Sequence, residues 1–220
     1  VIRTRVGDGA TGGSAKGPGH GPESGLRTLI IDRPDKANSL TPDMLAALSR
    51  EVERAADEDV RVLVLTGTGK VFSAGADLDA ARAGLATDPV WERLSGAIVA
   101  LPCLTIAALN GTAAGGALGM VLACDLRVAV PAAKIFYPVM KLGFLPQPSD
   151  PGRLSALVGP ARAKMILMAG AKIGAEEAAA WGLIDRVVPP EALDETVATL
   201  AADALGAGPA HVAAIKRMIG

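Results

Sequence analysis

The sequence predicts an α/β protein built around a buried central sheet. Several runs are too continuously apolar and β-branched for a strand with one wet face, and amphipathic helical stretches fall between and after them. At 220 residues, 50% of them hydrophobic, the chain can bury one substantial core, so a single domain spanning 1–220 is expected.

Residues 1–6 alternate as a short strand, and Leu26–Ile31 (LRTLII) reads as a second strand pairing back onto it. Residues 7–25 between them are rich in Gly, Pro and Ser with almost no apolar side chain, which predicts a flexible loop without chemistry. Thr41-Pro42-Asp43 reads as a helix start: a hydroxyl cap, proline in the first turn, then an acid. In the helix that follows, Leu45, Leu48 and Val52 share one face. Residues 60–66 (VRVLVLT), Leu104–Leu109, 126–130 and 184–188 supply further strands. Helices are expected over Val90–Ala100, 115–123, 153–158, 161–169, Ala175–Ala180, 192–205 and 210–218.

Composition narrows the function. Lys and Arg number 22 against 23 Asp and Glu, and aromatics make up 3%, so neither the broad positive field nor the stacking surface for nucleic acid is present. The longest apolar run, residues 97–109, is broken by Pro102 and Thr105 and falls short of the roughly 20 residues that cross a bilayer. Without a secretory signal pattern at the start, a cytoplasmic protein with no membrane insertion is expected. Cys103 and Cys124 lie in apolar runs as reduced thiols, and two histidines, His20 and His211, without paired spacing imply no metal site.

Two segments combine a buried strand, a glycine-rich turn and a helix: residues 62–80 and 104–125. A P-loop is excluded, because Gly69-Lys70 would need glycine at 64 and Ser or Thr at 71, where Val64 and Val71 stand. Neither turn contains G-x-G-x-x-G, which excludes the dinucleotide fingerprint. Two readings remain at this point. The glycines let helices pack closely on the sheet, or two helix starts side by side offer unpaired N–H groups as a two-donor oxyanion hole.

The ordered motifs around these turns resemble the crotonase superfamily, the enoyl-CoA hydratase/isomerase family. Ser73-Ala74-Gly75-Ala76-Asp77-Leu78 is similar to its F-x-A-G-A-D loop, and Asn110-Gly111-Thr112-Ala113-Ala114-Gly115-Gly116-Ala117 to its N-G-x-A-x-G-G-G segment. Arg33 to Leu40, Cys124-Asp125-Leu126-Arg127 and the stretch from Ala175 to Val188 resemble further family signatures, so the likeness covers most of the chain. The resemblance implies a crotonase (ClpP-like) fold of repeated ββα units forming a spiral core with surrounding helices. It places the oxyanion-hole N–H groups on Ala76 and Gly116. It also assigns substrate contact to Lys36 and Ala37 near the nucleotide end of CoA, and to Ala74, Asp77, Leu78, Asp79 and Gly115 along the pantetheine and acyl path. Asp77 also reads as a cap or brace for its loop. The implied ligand is an acyl-CoA or enoyl-CoA thioester, with coenzyme A part of the substrate and no separate cofactor, and the implied assembly is a homotrimer or a dimer of trimers.

The sequence departs from the family at the chemistry. The two positions that the resemblance assigns to catalytic glutamates hold Gly119 and Val139, and addition of water needs proton transfer on both sides of a double bond. The family's L-P-x-x-G-G turn becomes Leu145-Pro146-Gln147-Pro148-Ser149-Asp150-Pro151-Gly152. Asp150 is the candidate acid/base there, with Gln147 a polar orienter and Tyr137 and Lys141 lesser candidates; alternatively Asp150 caps the helix behind Pro151. Residues 190–220 read as a shortened C-terminal helical region, and Lys216 there reaches either CoA phosphates or its own helix end. The expectation is therefore a thioester-binding protein whose oxyanion hole could stabilise an enolate, with ordinary hydration doubtful. The alternative is a catalytically inactive acyl-CoA binder or carrier.

Overall fold

The structure is a computed structural model that describes residues 1–7 and 25–219. Most of the loop expected over residues 7–25 lies outside the described residues; Gly7 itself is the last residue of the first strand.

Strand β1 (Ile2–Gly7) pairs antiparallel with β2 (Leu26–Ile31) and forms an exposed sheet edge carrying Arg3 and Arg5. Helix α1 (Pro42–Asp57) begins as the sequence predicts: the Thr41 hydroxyl accepts the Met44 N–H at 3.3 Å, and Pro42 stands where no N–H is needed. Its buried face is Met44, Leu45, Leu48, Val52 and Ala55, at helical spacing.

Three ββα units follow. The first is β3 (Val62–Gly67), β4 (Val71–Ser73) and α2 (Leu78–Arg82), and the second is β5 (Leu104–Leu109), β6 (Thr112–Ala114) and α4 (Ala117–Ala123). The third is β7 (Leu126–Ala129), β8 (Lys134–Phe136) and α5 (Val139–Leu142), and α3 (Val90–Ala100) joins the first unit to the second. Each unit sends its long strand to one sheet and its short strand to another. The larger sheet runs β1-β2-β3-β5-β7-β10 and the smaller β4-β6-β8-β9, where β9 is Ile173–Gly174 and β10 is Arg186–Val187. β2, β3, β5, β7 and β10 run parallel to one another, and the central strands read as continuous apolar runs for that reason: Val62, Leu63, Val64 and Leu65 are all buried.

The remaining helices are α6 (Asp150–Val158), α7 (Pro160–Leu167), α8 (Ala175–Ala180), α9 (Leu193–Gly206) and α10 (Pro209–Ile219). Helix α4 is buried on every side, Ala117 to Ala123, and is the pillar against which α3 and α6 pack. Two boundaries correct the sequence reading. The helix expected over 115–123 starts at Ala117, leaving Gly115 and Gly116 in the preceding turn, and the helix expected behind an Asp150 cap, with Pro151 first, starts at Asp150 itself. Among the described residues no helix is long and apolar enough to cross a membrane.

Candidate functional site

The site forms where the turn after β4 meets the turn after β6. The first turn is held by the segment 33–40, which crosses beside it. Asn38, fully buried, accepts the Arg33 N–H at 2.8 Å and donates to the carbonyls of Thr68 and Val71 at 2.9 and 2.7 Å. Ala37 and Asn38 both adopt left-handed backbone (φ 50° and 53°), a conformation that these three bonds overdetermine. The Ser73 hydroxyl donates to the Asn38 carbonyl at 2.8 Å and accepts the Gly75 N–H at 3.2 Å. The Ala74 N–H donates to the Ala37 carbonyl at 3.0 Å.

Leu40 then bridges Ala76. Its N–H donates to the Gly75 carbonyl at 2.8 Å, and its carbonyl accepts the Asp77 N–H at 2.9 Å. In such a parallel bridge both neighbours of Ala76 spend their polar groups on Leu40, so the Ala76 N–H points the other way. Among the described residues it donates to nothing. The Gly116 N–H, at the start of α4, is likewise without an acceptor there, as the first N–H groups of a helix are.

The two turns touch. Gly75 has φ +90°, and a Cβ on it would lie 2.8 Å from the Ala114 carbonyl oxygen and 3.3 Å from the Gly116 nitrogen. On the far side of Gly116 lies the Trp91 ring, 3.1 Å from where a Cβ would be. Trp91 is buried and anchored by its indole N–H on the Leu85 carbonyl at 2.8 Å. Sequence reasoning missed this residue; the one signal for it was a bulky aromatic in a chain with so few.

Asp77 accepts the N–H groups of Asp79 and Ala80 at 3.2 and 3.3 Å, so it caps α2, and it pairs with Arg33 at 2.8 Å. The Arg33 guanidinium, with the Ala80 N–H, holds the Asp77 carboxyl below its usual range. Leu78 and Asp79 open α2 into solvent, and Ala74 and Lys36 are exposed nearby, Lys36 on a single 3-10 turn, Pro34–Lys36.

The second group of expected residues lies from α5 to the start of α6, which packs against α4. Val139 and Gln147 are buried, and Lys141 is exposed. Asp150 is 1% exposed. Its side chain does not cap α6, because the residue before the helix is Ser149 and no side-chain cap bond is made. Instead Oδ2 accepts the Tyr137 hydroxyl at 3.0 Å, and the same hydroxyl oxygen accepts the Gln147 N–H at 3.4 Å. Burial pushes the Asp150 carboxyl up to about 6, against the opposing pull of the Tyr137 hydroxyl and Arg153. Burial also raises the Tyr137 hydroxyl, with the neighbouring Asp150 charge adding to it. Around this pair, Glu92 on α3 accepts the Ser149 N–H at 3.1 Å and the Ser149 hydroxyl, and Arg153 donates to the Ser95 hydroxyl at 2.8 Å. Burial raises the Glu92 carboxyl, but the Ser149 bonds and Arg153 outweigh it and leave it lowered.

Lys216 is not at the site. Its ammonium donates to the Cys103 carbonyl at 2.9 Å and to Asp125 at 2.8 Å, residues that precede β5 and β7, whereas the paired turns follow β4 and β6. In place of the two expected roles, at CoA phosphates or at its own helix end, its charge is spent on Asp125. Cys103 and Cys124 are free and buried, with thiols pushed up by burial to about 11 and about 12, so neither is a nucleophile.

Residues 22–219 match the family model described as enoyl-CoA hydratase/isomerase. A 1,2-epoxyphenylacetyl-CoA isomerase of Escherichia coli is 35% identical over 191 residues, covering 81% of this chain and 72% of that protein. An enoyl-CoA hydratase structure from Bacillus anthracis superposes with a TM-score of 0.83 at 34% identity, covering 88% of this chain and 78% of that one. An enoyl-CoA hydratase/isomerase structure from Pseudoalteromonas atlantica superposes with a TM-score of 0.82 at 32% identity, covering 88% and 78%.

Proposed function

The chain belongs to the enoyl-CoA hydratase/isomerase family, the crotonase superfamily, and from that premise we propose that it binds acyl-CoA or enoyl-CoA thioesters with the carbonyl oxygen seated between the N–H groups of Ala76 and Gly116. The observation that carries this reading is that both N–H groups are without acceptors among the described residues, on turns that touch. Two fixed donors aimed at one oxygen stabilise negative charge as it grows there, as in a thioester enolate, and need no reorganisation when it does.

In this reading Ala74, Gly115 and the loop from Ala76 to Asp79 line the pantetheine and acyl path, and Lys36 and Ala37 face the nucleotide end of CoA. Val139 and Gln147 form the wall beyond. The exposed apolar side chains of Met140, Leu142 and Leu145 support assembly into a trimer or dimer of trimers, since so much apolar surface in one short stretch favours being covered.

Ordinary hydration is not what these residues serve, because Gly119 and Val139 carry no proton-transferring group at the positions that the resemblance assigns to glutamates. The same observation favours a second reading, an acyl-CoA binder or carrier without turnover. Titration calorimetry tests the common core of both. Hexanoyl-CoA should bind at least about tenfold tighter than its thioether analogue, which lacks the carbonyl oxygen but keeps the chain and the nucleotide. Equal affinity for the two would remove the paired N–H groups from the account.

A further inference from the structure

We propose that the Asp150 carboxylate is the single acid/base group of this site, standing in the room left by the missing side chain of Gly119, and that its chemistry is removal and return of the proton α to the thioester carbonyl. This rests on the thioester-binding reading above and extends it from binding to a reaction class.

The geometry starts at Gly119. A Cβ built on it would stand 2.9 Å from Asp150 Oδ1 and 3.1 Å from Oδ2, so no side chain at 119 coexists with Asp150 where it now lies. A carboxylate on α6 thus fills the space in which a carboxylate on α4 would start. Gly119 is three residues beyond Gly116 in the same helical turn, about 4.5 Å along the axis and on an adjoining face. Oδ1 therefore lies beside the same turn of α4 whose first N–H, that of Gly116, would hold the thioester oxygen.

Oδ1 is also the free atom of the group. Oδ2 is engaged by Tyr137, but Oδ1 is buried without a hydrogen-bond partner among the described residues, where Arg153 is 3.9 Å away and donating to Ser95. A buried polar atom in this condition is costly and calls for a partner that the protein alone does not provide. Of the charged groups facing it, Glu92 is occupied by Ser149 and Arg153 by Ser95, which leaves Asp150 with an unspent lone pair. Its raised pKa, about 6, suits a group that must both accept and return a proton near neutral pH.

The step balances without a co-reactant. The carboxylate takes the α-proton, and the C–H electron pair becomes the carbon–carbon π bond of the enolate. The carbonyl π pair moves onto the oxygen held by Ala76 and Gly116. Return of the proton to the same carbon is exchange; its return to the γ-carbon of a 3-enoyl thioester shifts the double bond. Neither outcome needs water or a second acid.

The test is α-deuteration of hexanoyl-CoA in D2O followed by mass spectrometry, with binding measured in parallel by calorimetry. The wild-type protein should bind and deuterate. Asp150→Asn should bind within about threefold while exchange falls by about 100-fold or more, with circular dichroism confirming the fold. Gly119→Ala, whose methyl displaces Oδ1, should lose exchange with binding kept. Tyr137→Phe, which removes a bond that lowers the Asp150 pKa, should move the acidic limb of the exchange rate to higher pH. Binding by the wild type without exchange, or exchange undiminished in Asp150→Asn, overturns the proposal and leaves thioester binding standing. Absence of binding overturns both.

Discussion

Gly75 and Ala114 meet across the two turns of the site: a methyl on Gly75 would stand 2.8 Å from the Ala114 carbonyl oxygen. The contact is backbone against backbone, and Gly75 also holds φ +90°, which a side chain resists. Gly75→Ala is expected to destabilise the fold by about 1–3 kcal/mol. It should also weaken hexanoyl-CoA binding by more than tenfold, because the Ala76 and Gly116 N–H groups part. Denaturant unfolding and calorimetry read the two effects; unchanged affinity would show that the spacing of the turns is not what holds the thioester.

A glutamate placed at position 119, where the family resemblance puts one, should not confer hydration. Gly119→Glu forces a second carboxylate against buried Asp150, so overpacking and like-charge repulsion together should cost about 3 kcal/mol. Adding Asp150→Gly should recover part of that loss, since the two positions share one space. A double-mutant cycle on unfolding free energy measures this directly, and strict additivity would mean that the residues do not compete.

The central strands were legible in the sequence because a parallel sheet covered on both faces must be continuously apolar, as Val62 to Leu65 are. Strands β4, β6 and β8 were not: three residues each are too few to show an alternation. The glycine turns were visible as composition, but their contact was not, because the bridge between Leu40 and Ala76 joins segments that the sequence holds far apart. Asp150 could be singled out from its place in the turn. Whether it capped a helix or faced α4 depended on the Tyr137 hydroxyl and on the gap at Gly119, which only the packing of α4 against α6 brings together.

Asp150 also sets a pH dependence of stability. Its folded-state pKa, about 6, lies above the ordinary aspartate value of 3.8, so the folded chain binds the proton more tightly than the unfolded chain does. Its contribution is therefore fully present below about pH 4 and is lost as pH rises through about 6. Two units correspond to a ceiling of about 3 kcal/mol. Asp150→Asn, neutral at all pH, should match the wild type near pH 4 and exceed it by about 1–3 kcal/mol at pH 8. A constant offset between the two across this range would contradict the burial effect.

Asp77 has the opposite sign. Its carboxyl is held low by Arg33 and by the Ala80 N–H, so what it contributes is present above the usual aspartate pKa and fades only as pH falls below it. Asp77→Ala should speed hydrogen exchange at the Asp79 and Ala80 amides and loosen the loop beside Ala76. Asp77→Asn keeps a capping oxygen and should preserve most of that protection while losing the Arg33 pairing. Equal exchange in both variants and the wild type would mean that the cap holds nothing in place.

Lys216 separates a structural lysine from a ligand-binding one. It ties α10 to Asp125, which itself accepts the Thr105 N–H and hydroxyl at 2.8 and 2.9 Å, so one carboxylate gathers the starts of β5 and β7 and the last helix. Lys216→Met keeps the aliphatic stem and removes both hydrogen bonds, and should lower unfolding free energy by about 1 kcal/mol. Affinity for hexanoyl-CoA should stay within about twofold of the wild type, and so should the ratio of affinities for CoA and dephospho-CoA. A selective loss of affinity for the 3′-phosphorylated form would place the lysine on the nucleotide and require α10 to leave Asp125 when ligand binds.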